Sequence, residues 1–151
     1  MEKSTGNKMT DITTHIVHHR FIPVFYSSNE DWSIRIFNTC YAAGLRVFEF
    51  TNRGADALRV FKQLIRYKNE NCSGMTAGAG TILTGKSAEE FIKSGSAFIV
   101  SPCFIKEVLV VCKEYEVPYF PGCMTVKEVF EANAAGCTMI KIFPGDVLTS
   151  K

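Results

Sequence analysis

The sequence predicts an α/β fold built on a parallel sheet. Three observations carry that reading. Short β-rich runs alternate with amphipathic stretches along the chain. The β-rich runs recur at about 20 to 29 residues, the spacing of repeated strand–helix units. Several runs are apolar on both faces, as parallel strands covered by helices must be.

The elements follow in chain order. Met1 to Thr10 is polar and reads as a mobile tail leading into a helix over Lys8–His19. Residues 1–20 thus form a tail and helix, and residues 21–151 form the body. Strands are expected over Phe21–Tyr26, Leu45–Phe50, Met75–Gly78, Ala97–Val100, Val117–Phe120 and Thr138–Phe143. Helices are expected between them, over Glu30–Ala43, Ala55–Lys68, Ala88–Lys93, Ile105–Tyr115 and Val126–Asn133. Ser27-x-x-Glu30, Ser87-x-x-Glu90 and Thr125-x-x-Glu128 fit the pattern in which a hydroxyl and a carboxylate cap a helix start reciprocally. Gly44, Gly95 and Gly136 stand where a left-handed residue closes the last turn.

Composition narrows the functions open to such a fold. The 151 residues are 46% hydrophobic and 21% charged, which suits one globular domain. Net charge is +2 with the basic residues scattered, so no basic stripe points to nucleic acid. No apolar run approaches the roughly 18 residues of a membrane span, and the N-terminus lacks the apolar segment of a secretion signal. A cytoplasmic setting follows by default. The six cysteines are irregularly spaced and read as reduced core residues, not as a disulfide framework. The sequon Asn71-Cys72-Ser73 has no meaning in that compartment.

Lys141 is the residue with the most chemical content. It lies inside the apolar run Met139-Ile140-Lys141-Ile142-Phe143. A desolvated lysine favours its neutral amine, a nucleophile able to form a Schiff base with a carbonyl. The ordinary alternative is a lysine that snorkels to water or pairs with a carboxylate. Glu49, between Phe48 and Phe50, is a second polar residue in an apolar strand. Facing the same cavity it could shuttle protons; otherwise it forms an ion pair with Arg53 or Lys141. Arg53 and the Gly-rich strand end at Thr81 could bind an anion, or serve as a surface salt bridge and a turn residue. These residues stand at the C-terminal ends of successive strands, where such folds gather their chemistry.

Two other patterns carry weaker alternatives. Gly80 to Ser87 matches a phosphate-cradling loop literally, so a nucleotide-binding module is a minor alternative. Ile82-Leu83 in the loop and the lack of a later acidic strand end for Mg²⁺ count against it. His15, His18 and His19 could place two ligands on one helix face, but without an acidic or cysteine partner they read as an exposed face.

Taken together, Gly44 to Arg53, Ala77 to Thr81, Phe98 to Pro102, Pro121-Gly122 with Thr125, and Ile140 to Pro144 resemble the 2-keto-3-deoxy-6-phosphogluconate aldolase family. Some members of that family also act on 4-hydroxy-2-oxoglutarate. The resemblance runs from about Ile22 to Leu148 and implies a (β/α)8 barrel, usually trimeric, that needs no metal or other cofactor. It implies a keto-acid phosphate substrate, with Lys141 as the Schiff-base residue and Glu49 as acid/base. Arg53 and Thr81 become binders of the pyruvate carboxylate, and Pro102 and Phe143 become pocket walls. The galactonate epimer is an alternative substrate. Gly145 stands where the family more commonly has alanine.

The expected strands number six, and a closed barrel needs eight. The sequence is therefore expected to be a fragment or a chain cut short, lacking the strand ends that hold the substrate phosphate. Its first and sixth strands should have open apolar edges. Alone, such a chain is expected to fold poorly and to show little activity, leaving an inactive fragment as a further alternative.

Overall fold

The computed structural model describes residues 7–148. Seven helices and six strands alternate among the described residues. The strands are β1 (Val24–Phe25), β2 (Val47–Thr51), β3 (Thr76–Gly80), β4 (Ile99–Ser101), β5 (Tyr119–Cys123) and β6 (Lys141–Ile142). The helices are α1 (Asn7–His19), α2 (Glu30–Ala42), α3 (Ala57–Asn71), α4 (Gly85–Lys93), α5 (Lys106–Glu114), α6 (Val126–Ala134) and the short α7 (Gly145–Leu148). Every strand pairs in parallel with its predecessor, so the sheet order is the chain order.

The sheet is curled. In a flat sheet, β2 and β6 would lie four strand spacings apart, about 19 Å. Two side chains cannot bridge that gap, yet Glu49 on β2 and Lys141 on β6 come within 3.8 Å. Among the described residues the arrangement is six strands of a TIM-type barrel, as expected.

Strand alternation divides the apolar residues into two cores. Phe48, Phe50, Ala77, Ala79, Ile99 and Tyr119 point outward and pack against the helices, with Phe37, Phe61, Leu64 and Phe91. Val47, Phe98, Val100 and Phe120 point inward. Ile12 and Ile16 of α1 join this inner cluster. Their partners Ile22, Val47, Ala97 and Met139 sit at or just before strand starts, so α1 lies across the N-terminal mouth of the barrel. That role explains why the helix begins at Asn7 and takes up residues expected in a tail.

The caps show where sequence patterns were read out of register. Thr125 and Glu128 form the expected reciprocal cap. Ser27 and Ser87 do not cap their helices. Asn29 accepts from Trp32 N–H at the start of α2, and Thr84 accepts from Ser87 N–H at the start of α4. Helix α4 therefore begins three residues earlier than expected, at Gly85. Gly44, Gly95 and Gly136 adopt φ of +90°, +99° and +94°, as anticipated for helix ends. Strand β5 runs on through Pro121 and Gly122 to Cys123 instead of stopping at Phe120. Pro121 has no N–H, and pairing with β6 begins one residue beyond it, at Gly122↔Lys141.

The two sheet edges expose apolar side chains, including Val24 at 48% and Ile142 at 54%. All six cysteines are free thiols, four of them buried, and none is paired.

Inward-facing Gly78 packs directly under the Phe98 ring, which occupies the space a Cβ would need. Gly78→Ala should cost about 1–3 kcal/mol, the usual penalty for overpacking a core. Urea unfolding followed by far-UV circular dichroism measures it.

Candidate active site

Alternation along β2 sets the site. Phe48 and Phe50 go to the helix layer, which turns Val47, Glu49 and Thr51 inward. Glu49 is 4% exposed. Its register partner on β3 is Gly78, and Gly80 lies beside Thr51. A Cβ at Gly80 would strike the Glu49 carboxylate. Gly80 thus leaves the space into which the carboxylate leans.

Lys141 enters from the far side of the curl. Its register partner, Gly122, also lacks a side chain, and a Cβ there would strike the Pro102 carbonyl. The Lys141 amine lies 3.8 Å from Glu49 Oε1 and 5.1 Å from the centroid of the Phe143 ring. Its side chain is 34% exposed, because the barrel wall next to β6 is open. The lysine is therefore neither fully buried nor on the outer surface. It points into the barrel mouth against a carboxylate.

Burial holds the Glu49 carboxyl above the usual carboxylate range, while the charges of Lys141 and Arg53 pull it back down. Desolvation prevails because the carboxyl is enclosed and Arg53 is exposed to solvent. A carboxyl poised in this way can hold or release a proton beside an amine, which is what carbinolamine and imine chemistry requires.

The remaining expected residues follow the C-terminal ends of β2, β3, β4 and β6. Arg53 follows β2, and its N–H donates to Thr51 O. The preceding Asn52 ties the two neighbouring strand ends together. Its N–H donates to Gly80 O at 2.8 Å, and its side-chain amide donates to Ser87 Oγ at 3.1 Å. Thr81 comes next after Gly80 and has φ +59°, a left-handed conformation unusual for a β-branched residue. Pro102 is half-buried beside Gly122, and Phe143 lies in the loop after β6. Gly80 and Gly122 were missed as site residues. The signal for Gly80 was present in the Gly78-x-Gly80 spacing, which puts those two glycines on one strand face.

The weaker alternatives find little geometric support. In the Gly80–Ser87 loop, Ile82 is fully buried and its N–H is already bound to Val100 O. Lys86 instead lines a groove of about 720 Å³ on the outer face between α4 and α5. The rings of His15 and His19 touch edge-on at 4.5 Å, and His15 Nε2 lies 3.3 Å from Arg46 O. Among the described residues no cluster of His, Cys, Asp and Glu is arranged to hold a metal, and no helix is long and apolar enough to cross a membrane.

Comparisons with known proteins identify the family. The family model for KDPG and KHG aldolase matches residues 12–150. The 2-dehydro-3-deoxy-phosphogluconate aldolase of Treponema pallidum is 30% identical over 132 residues, which is 85% of this chain and 60% of that one. The Pseudomonas aeruginosa enzyme of the same name is 29% identical, covering 93% of this chain and 62% of its own. The chain thus spans about 60% of the length of these curated relatives. Among solved structures, the 2-keto-3-deoxy-6-phosphogluconate aldolase of Zymomonas mobilis with 3-phosphoglycerate superposes with a TM-score of 0.83 at 25% identity. It covers 94% of this chain and 66% of that one. A KDPG aldolase from Legionella pneumophila, with pyruvate captured as a covalent carbinolamine, gives a TM-score of 0.76 at 27% identity. It covers 83% of this chain and 59% of its own. With the family model matching nearly the whole sequence and the inward lysine–glutamate pair in place, the chain belongs to the KDPG and KHG aldolase family.

Proposed function

We propose that this chain carries the Schiff-base site of a class I aldolase that cleaves 2-keto-3-deoxy-6-phosphogluconate to pyruvate and glyceraldehyde 3-phosphate. The observation that carries the reading is the Lys141 amine 3.8 Å from the buried Glu49 carboxylate. The Legionella relative holding pyruvate as a carbinolamine supports the same chemistry here. The match to a solved 4-hydroxy-2-oxoglutarate/2-dehydro-3-deoxyphosphogluconate aldolase, at 30% identity and a TM-score of 0.78, supports a second keto acid with the same pyruvate end. The family resemblance also implies a trimer.

The reaction begins when neutral Lys141 attacks the C2 ketone. Glu49 in its carboxylate form takes the proton from the attacking nitrogen, and as a carboxylic acid it gives a proton to the leaving hydroxyl as water departs. The resulting iminium withdraws the electrons of the C3–C4 bond as the C4 hydroxyl loses its proton to Glu49. The aldehyde leaves, the enamine carbon takes up a proton, and water hydrolyses the pyruvate imine to free Lys141. Arg53 and Thr81 hold the carboxylate next to the reacting carbon, and Pro102 and Phe143 shape the walls around it. Burial of Glu49 raises its pKa above the ordinary carboxylate value and so favours the protonated form, which lets one carboxyl serve in both directions.

Borohydride reduction with pyruvate, followed by peptide mass analysis, tests this reading. A pyruvate-derived adduct on Lys141 is expected, and none on Lys141→Arg. A folded wild-type chain that gives no adduct refutes the assignment. Glu49→Gln should slow imine formation by about 100- to 10,000-fold, the range typical of a lost acid/base.

The same substitution has a pH signature. Glu49 has its pKa raised in the folded chain, so it adds stability below its ordinary pKa, and that stability is lost as pH rises through the folded value. The melting temperature of Glu49→Gln relative to wild type should therefore be higher at about pH 7.5 than at about pH 4. A difference independent of pH would remove the burial argument for Glu49.

A further inference from the structure

Thr81 is held in its left-handed conformation by an irregularity in the β3–β4 ladder. Ala79 N–H donates to Phe98 O, and Ile82 N–H donates to Val100 O. Three residues on β3 thus advance against two on β4, so Gly80-Thr81 forms a bulge. The peptide planes on both sides of Thr81 are fixed, because Gly80 O accepts from Asn52 N–H and Ile82 N–H is bound to Val100 O. A bulge of this kind re-aims a side chain, and a β-branched residue at φ +59° stays there only while its surroundings enforce it.

The weak point of that enforcement is the Ile82 carbonyl. In a parallel ladder, a residue whose N–H donates to the carbonyl of position 100 accepts, at its own carbonyl, the N–H of position 102. Position 102 is Pro102, which has no N–H. The Ser101 hydroxyl takes its place, donating to Ile82 O at 2.5 Å. Ser101 is fully buried, and so is Ile82. A proline that shapes the pocket wall and a serine that replaces the lost donor are adjacent in sequence for one geometric reason.

We propose that Ser101 is a positioning residue: through the Ile82 carbonyl it keeps the Gly80-Thr81 bulge in place, so that Thr81 can receive the carboxylate of a 2-keto acid. The inference rests on the aldolase reading for its ligand, and on the ladder geometry alone for the bulge. Ser101 touches no substrate atom in this scheme.

The test compares two carbonyl probes trapped on Lys141 by borohydride. Pyruvate carries the carboxylate, and hydroxyacetone lacks it. Ser101→Ala should raise the half-saturating pyruvate concentration about tenfold, the effect of one hydrogen bond to a carboxylate weakened by misplacement. Hydroxyacetone trapping should be unchanged, and Ser101→Thr, which keeps the hydroxyl, should restore pyruvate. Equal loss of both probes, or no change in pyruvate while Thr81→Ala still weakens it, overturns the proposal. Should Ser101→Ala fail to fold, Ser101→Cys carries the same comparison with a weaker donor of similar size. If the wild-type chain traps neither probe, the Schiff-base reading fails by itself, and amide hydrogen exchange then decides the positioning. Ser101→Ala should speed exchange at Ile82 N–H relative to Ala79 N–H at least tenfold; equal protection of both overturns it.

Discussion

The curl of the sheet is the constraint on which the rest depends. Lys141 and Glu49 lie on strands separated by three others, and only curvature brings their side chains to 3.8 Å. Curvature in turn demands an interior that can be filled from a narrow ring. Phe98, Phe120 and Val47 fill the N-terminal half, closed below by Ile12 and Ile16. Glycines at 78, 80 and 122 yield their side-chain space to the Phe98 ring, the Glu49 carboxylate and the Pro102 carbonyl. The same barrel is thus apolar and packed at one end and carries the ionisable pair at the other. The chemistry sits at the boundary between them.

That boundary sets the electrostatics. Glu49 is enclosed by the packed layer and loses most of its hydration, while Lys141 reaches it from the open side of the barrel and keeps a third of its exposure. The pair is therefore asymmetric: a dry carboxyl and a wet amine. Desolvation raises the carboxyl's pKa despite two nearby cations. A fully exposed pair of the same residues would be worth little and would leave both groups charged.

The parts of this arrangement that were legible in the sequence share a physical reason. Lys141 and Glu49 stand out because each is an ionisable residue inside an otherwise apolar run, and the alternation of β2 then fixes which way Glu49 points. The parallel order followed from the regular repeat of strand and helix. The helix caps were less legible because Ser-x-x-Glu recurs near the true starts, while Asn29 and Thr84, two and three residues away, win by the backbone geometry of the incoming loop. Strand β5 was cut short at Pro121-Gly122 because both residues normally end strands, whereas here the missing N–H falls where β6 has not yet begun to pair. The left-handed Thr81 and the service of Ser101 could not be read locally. Both arise from a mismatch in residue count between two strands about 20 residues apart, a property of the pairing and not of either segment.

Because each strand pairs with the one just before it, the sheet can grow in the order in which the ribosome delivers it. Glu49 is then enclosed by β1 and β3 well before Lys141 leaves the exit tunnel. The carboxyl is thus buried before its amine partner is present, and the attraction of Lys141, which draws its pKa back down, is added only when β6 joins the sheet some ninety positions later.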